Sequence, residues 1–218
     1  MSDAETEAAY AVRGLPLDEI PAGTTLLVAG PTHGGARTAA LRMLAGPPSE
    51  GVIVITTNRR AARIAGDCES AGTEMSADRA AIIDCAGDEA AGVPAQLLPV
   101  SGPGDLTGIG MRFSDVYMEL KREGIARART GLFSLSTLLT LGDLQTVSRF
   151  VHTFVGRVDG AGGLGVLFVD PTNHDERSVN TIAQFCSARV DVREGDEAPE
   201  LRVGGLAGYD REWRAFER

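Results

Sequence analysis

Apolar and polar positions along this chain recur in two periods, and the switches between them mark out its elements. Thr24-Thr-Leu-Leu-Val-Ala29 is an apolar run that stops at Gly30, and a helical recurrence then carries through Leu41 and Leu44. The pattern predicts a strand over about 24–29 and a helix over about 35–45, closed by Gly46-Pro47-Pro48. Val52-Ile-Val-Ile55 is wholly apolar and β-branched, as in a parallel strand buried on both faces. A helix over about 59–71, capped by Asn58, and a strand over Ala80–Asp84 follow. Residues 86–95 read as a Gly- and Ala-rich loop, and 97–100 as a short strand.

In the second half, Leu106, Ile109, Phe113, Val116, Tyr117 and Leu120 recur at helical spacing, with Asp105 as N-cap and Gly124 just past the end. Thr130–Leu135 reads as a strand, about 144–158 as a helix, Gly165–Asp170 as the clearest buried strand, and about 175–187 as a helix. Residues 188–193 and 200–204 alternate like half-exposed strands, and the acidic link between them predicts a hairpin. At the ends, residues 1–13 read as a polar tail with a short helix around Ala8–Arg13. The segment 15–23 reads as a lead-in loop, and Trp213 with Phe216 as a single docking turn. Strands alternating with helices imply an α/β fold, with a mainly parallel central sheet, helices on both faces and a late antiparallel edge hairpin. The expected division is an acidic tail and lead-in over 1–20, one domain over 21–205 and a C-terminal extension over 206–218.

Composition narrows the function classes. The 218 residues are 43% hydrophobic, enough for one sizeable core. No apolar run reaches the roughly 18 residues that a membrane span needs, and the acidic start lacks a signal-peptide pattern, so a cytoplasmic protein is expected. Net charge is −9, and Lys121 is the only lysine among 21 basic residues. That balance argues against a broad nucleic-acid surface, although the arginines at 122, 127 and 129 are candidates for a local basic patch. Cys68, Cys85 and Cys186 are widely spaced and odd in number, which predicts inert thiols rather than a zinc site or a disulfide framework.

The candidate chemistry lies in Gly30-Pro-Thr-His-Gly-Gly-Ala-Arg-Thr38, between the first strand and the first helix. Strand, glycine loop and helix are the setting of a phosphate-binding loop, in which backbone N–H groups and the helix N-terminus face an anion. Gly30 and Gly35 have the spacing of G-x-x-x-x-G-K-[S/T], but Ala36 stands at the lysine and Arg37 at the Ser/Thr. A frame shifted by one residue recovers Arg37 and Thr38 but puts Pro31 and Ala36 where both glycines belong. The first frame is preferred, because glycine's backbone freedom is the harder property to replace. Gly30, Gly34, Gly35, Ala36, Arg37 and Thr38 are therefore the candidate anion-binding residues. His33 reads as an exposed loop residue, and Asp84 and Asp170 each end an apolar strand. No catalytic residue and no metal ligand set is assigned.

The order of these elements resembles the RecA/KaiC group of P-loop ATPases, and most closely the small KaiC-like proteins abundant in halophilic archaea. The resemblance rests on Leu26–Leu44, Val52–Asn58, Ile83-Asp-Cys85 and Ser101–Gly110. It continues through Ser134-Leu-Ser-Thr-Leu138, Asp143–Val147 with Gly156-Arg157, and Asp170 with His174-Asp-Glu176 and Val179-Asn-Thr181. It implies a RecA-like fold and ATP or ADP with Mg²⁺ as the family's ligand. It also implies a loop lysine at Ala36, a Walker B aspartate at Phe133 and a water-activating acidic pair within Thr56-Thr-Asn58. None of the three is present. By the same order Asp170 falls at a sensing position, whereas Asp84, expected on a strand beside the loop strand, is the carboxylate left to contact Mg²⁺ or water. The implied function is a non-hydrolysing regulatory or scaffolding domain that binds a protein partner or itself. The alternatives are an ATP-binding switch or weak ATPase using Arg37, Thr38 and Asp84, and an accessory DNA-repair protein like the recombinase paralogues.

Overall fold

The computed structural model describes residues 9–87 and 92–217. Its strands are β1 (Ala9–Ala11), β2 (Glu19–Pro21), β3 (Thr25–Ala29), β4 (Glu50–Thr56), β5 (Ala80–Asp84) and β6 (Gln96–Pro99), followed by β7 (Arg127–Phe133), β8 (Leu164–Val169), β9 (Ala188–Arg193), β10 (Glu200–Gly204) and β11 (Arg214–Ala215). The helices are α1 (Ala36–Arg42), α2 (Ala61–Ser70), α3 (Leu106–Arg122), α4 (Leu135–Leu141), α5 (Leu144–Gly160) and α6 (Glu176–Ala183). One sheet runs in the order β11-β10-β9-β3-β8-β7-β4-β5-β6, parallel from β9 to β6, with β10 and β11 antiparallel at one edge. The α/β architecture with a late antiparallel edge is therefore the expected one.

Side chains alternate across the sheet, so each all-apolar strand feeds two cores. Leu26, Val28, Val52 and Val54 pack with α1, α2 and the N-terminal strands, whereas Leu27, Ala29, Ile53 and Ile55 pack under α3, α4, α5 and α6. Asp105 caps α3 by accepting from the Gly108 amide, and Gly124 takes a positive φ just past its end. Among the described residues no helix is long and apolar enough to cross a membrane.

Several local expectations are corrected. The segment around Ala9–Arg13 holds a strand, not a helix: β1 pairs antiparallel with β2, in the segment read as a loop, and Tyr10 is fully buried. Ala8 lies outside the described residues, as do 88–91 of the expected Gly/Ala loop. α2 begins at Ala61 with Arg60 at its N-cap, so Asn58 does not cap it. The strand expected to run to Leu135 ends at Phe133, and the separate helix α4 starts at Leu135. α6 stops at Ala183. The tail docks as the short strand β11 with Phe216 buried behind it, rather than as a turn.

Of the three arginines named for a local basic patch, Arg122 is exposed, whereas Arg127 and Arg129 are engaged within the fold. Arg129 is fully buried, at the end of the sheet where the parallel strands begin. Its Nε donates to Glu50 Oε2 at 2.6 Å, Nη1 to the Met43 carbonyl at 3.0 Å and Nη2 to the Ala11 carbonyl at 2.9 Å. Arg127 donates to the Ala9 carbonyl and lies 4.2 Å from the centre of the Tyr10 ring. Gly46 makes room for this network: a Cβ there would stand 2.6 Å from both Arg129 Nε and Glu50 Oε2. Arg127 and Arg129 hold down the N-terminal hairpin instead of facing a ligand.

Candidate functional site

The candidate site lies at the opposite end of the sheet, where β3, β8, β7 and β4 finish side by side. After Gly30 the chain makes a tight turn in which the Gly34 amide donates to the Pro31 carbonyl at 2.9 Å. Gly34, Gly35, Ala36 and Arg37 are buried, Thr38 is half-buried and His33 is exposed. Gly35 is the N-cap of α1 and has φ +93°, a conformation that favours glycine. A Cβ on Gly35 would stand 2.8 Å from Pro199 Cβ and 3.4 Å from Phe216 Cζ, so the C-terminal hairpin and tail pack directly over the loop.

The loop is tied to β8 through Asp170. Asp170 Oδ2 accepts from the Thr32 amide at 2.8 Å and from Thr32 Oγ1 at 2.6 Å. Its Oδ1 accepts from the Thr172 amide and hydroxyl at 3.1 and 2.6 Å. Ser136 Oγ, on α4, accepts from the Asp170 amide at 2.9 Å. Partial burial opposes ionisation of this carboxyl, but the hydrogen bonds from Thr172 and Thr32 outweigh it and hold the group at about 2. Both carboxylate oxygens are thus engaged in shaping the turn.

Phe133 ends β7 and is fully buried, with its ring stacked on Phe168 at 6.1 Å between centroids. The Arg37 guanidinium lies 5.5 Å from the Phe133 ring centre and 5.9 Å from that of Phe168. Thr57, just past β4, serves as a clasp: its amide donates to the Phe133 carbonyl, its hydroxyl donates to the Ser134 carbonyl, and its Oγ1 accepts from the Ser134 amide, each at 2.8 Å. The structure therefore brings together Arg37, Phe133, Thr57 and Asp170, from four separate stretches of sequence.

Asp84 does not join them. The expectation that its strand neighbours the loop strand is corrected: β8, β7 and β4 stand between β3 and β5. Neighbouring strands are about 4.8 Å apart, so the two strand ends are separated by roughly 19 Å. Asp84 is buried, and its Oδ1 accepts from the Ala86 amide at 2.8 Å.

Arg37 points to a second set of residues that the motif reading missed. Around Asp67 of α2 stand Arg37 Nε at 3.7 Å, Arg59 Nη1 at 3.1 Å and Arg63 Nε at 3.3 Å. With Thr38, Arg42 and Ser70 they line a groove of about 300 Å³ between α1 and α2. Burial first, and then repulsion from Arg59, lowers the Arg37 guanidinium to about 10, so it remains cationic at neutral pH. The arginine density of 59–63 was visible in sequence, but its convergence on Arg37 was not. Among the described residues no group of three or more His, Cys, Asp or Glu side chains is arranged to hold a metal. Cys68, Cys85 and Cys186 are free thiols that burial pushes up to about 12.

This sheet order, with the loop leaving a strand flanked by β8 and β9, is a KaiC-like RecA fold. The crystal structure of the KaiC-like protein PH0186 from the hyperthermophilic archaeon Pyrococcus horikoshii superimposes with a TM-score of 0.64, covering 94% of this chain and 92% of that one at 16% identity. A family profile matches residues 23–192, and the chain belongs to that family, DUF7504, a family of unknown function. No curated protein matches the sequence.

Proposed function

We propose that the chain is a RecA/KaiC-like domain that does not hydrolyse nucleotide and works as a regulatory or scaffolding module through contact with a protein partner or a second copy of itself. The observation that carries this reading is the Arg37 guanidinium over the buried Phe133 ring. ATP with Mg²⁺ is the ligand the fold implies. A divalent cation needs hard oxygen donors. The two positions that would supply a hydroxyl and a carboxylate hold Arg37 and Phe133, a fixed cation and an aromatic ring. The residues present do not fit the metal. The acidic position after β4 supports the same reading, because Thr57 there is occupied in hydrogen bonds to β7.

Loss of turnover leaves recognition as the function that the fold can still serve. Met111 on α3 is 63% exposed, and so is Leu141 at the end of α4, which provides apolar surface for a contact.

Phosphate release from ATP in the presence of Mg²⁺ tests the reading, with oligomeric state followed by light scattering on the same samples. The expected result is no release above the protein-free rate. Turnover abolished by Arg37→Ala or Asp84→Asn would overturn it.

A further inference from the structure

Arg37 is an unusual buried arginine. Its side chain is 10% exposed. Its Nε and Nη2 are buried and have no hydrogen-bond partner among the described residues. A buried charge is ordinarily both paired and hydrogen-bonded. The carboxylate beside it, Asp67, stands 3.7 Å from Nε, beyond hydrogen-bond reach. That one carboxylate also serves Arg59 and Arg63, so three guanidiniums share a single negative charge. The aromatic faces of Phe133 and Phe168 hold the Arg37 guanidinium in place without supplying an acceptor.

We infer that the groove between α1 and α2 is a binding site for a phosphate-type dianion, held by Arg37, Arg59 and Arg63. The chemistry follows from the charge count and the donor geometry. Three guanidiniums around Asp67 leave an excess of two positive charges, and Arg42, whose Nη1 donates to two backbone carbonyls, adds to that excess at the groove's edge, so a dianion fits the charge better than a chloride or a second carboxylate. Guanidinium forks match the oxygens of a phosphate group in paired hydrogen bonds. Thr38 lines the same groove and adds a hydroxyl. The groove shares Arg37 and Thr38 with the end of the candidate loop, but Gly30, Gly34 and Gly35 are not among its lining residues, so it opens between the helices and not over the glycines. Asp67 holds the three arginines together while the groove is empty and competes with the incoming anion. The site needs neither a metal nor hydrolysis, and it stands apart from the proposed scaffolding role.

The test is calorimetric titration of the full chain with inorganic phosphate, at an ionic strength held constant with chloride. AMP and ATP are titrated separately without Mg²⁺. Saturable phosphate binding is expected, weakened at least tenfold in the Arg59→Gln/Arg63→Gln double variant. Those two side chains are 31% and 71% exposed, so their loss leaves the core intact, which thermal unfolding of the variant checks. Asp67→Asn is expected to tighten binding by removing the competing charge, an effect a purely structural cluster would not produce. AMP or ATP binding at least tenfold tighter than inorganic phosphate, and lost in the same double variant, supports the site with a nucleotide as the source of the phosphate. Equal affinities support it with free phosphate as the source. Absence of saturable phosphate binding, or binding unchanged in the double variant, would overturn the inference. No turnover is measured, so this outcome is independent of the ATP hydrolysis assay.

Discussion

The two ends of the central sheet each bury an arginine beside aromatic rings, and they treat it differently. Where the parallel strands begin, Arg129 donates from Nε, Nη1 and Nη2 to one carboxylate and two backbone carbonyls, with Tyr10 nearby. Where they end, Arg37 rests on Phe133 and Phe168 with two donors unmatched. Both side chains are long and cationic, so the difference lies in what the surroundings supply. A fully matched buried arginine is a structural clamp. One left unmatched costs stability in the isolated fold, and binding chemistry gives it a reason to persist.

The same substitution at the two ends separates these roles most sharply. Arg129→Met leaves Glu50 buried without its closest partner, and removing one member of a buried pair costs about 3–5 kcal/mol. For a chain of this size that corresponds to a fall in melting temperature of about 10 °C. Thermal unfolding reads it, and a loss below about 1 kcal/mol would remove the clamp interpretation.

Asp170→Asn comes next. It weakens the hold on Thr32 at the loop and is expected to cost about 1 kcal/mol at neutral pH. The carboxyl is held at about 2 in the fold, below its ordinary 3.8. Its contribution is therefore present above about pH 4 and is lost as the pH falls towards 2. Urea unfolding of both proteins across that window should show the gap between them closing. A gap that persists at pH 2 would mean that charge is not what holds the turn.

The smallest effect is expected for Arg37→Met. A thioether packs well against aromatic rings, and Asp67 keeps Arg59 and Arg63. Stability is expected to stay within about 1 kcal/mol of the parent protein, on the favourable side. A loss comparable to that of Arg129→Met would erase the contrast between the two ends.

Much of the fold could be read from the chain, because strands buried on both faces leave continuous apolar runs. Val52–Ile55 and Val166–Val169 are of this kind. The N-terminal hairpin was not legible. β1 has three residues, too few to separate a period of two from one of 3.6, and its reason to pair lies in Arg127 and Arg129, more than a hundred residues away. The helix α4 was hidden for a related reason, since Leu135-Ser-Thr-Leu138 follows a buried strand after a single residue and continues its apolar run. Within the site, the substitutions at Ala36, Arg37 and Phe133 could each be read against a motif. That Arg37 lies over Phe133 could not, because spacing along a chain does not say which strand ends stand together. Asp84 was misplaced by the same gap, since the β8 and β7 insertions between β3 and β4 are a property of topology alone.

The packing of Pro199 and Phe216 over Gly35 carries a further consequence. The family match stops at residue 192, inside β9, while the loop it includes is roofed by residues that come later. The loop at residues 30–38 is therefore shielded by residues more than 160 positions later in the chain, so its exposure depends on whether the hairpin and tail stay docked on the sheet edge.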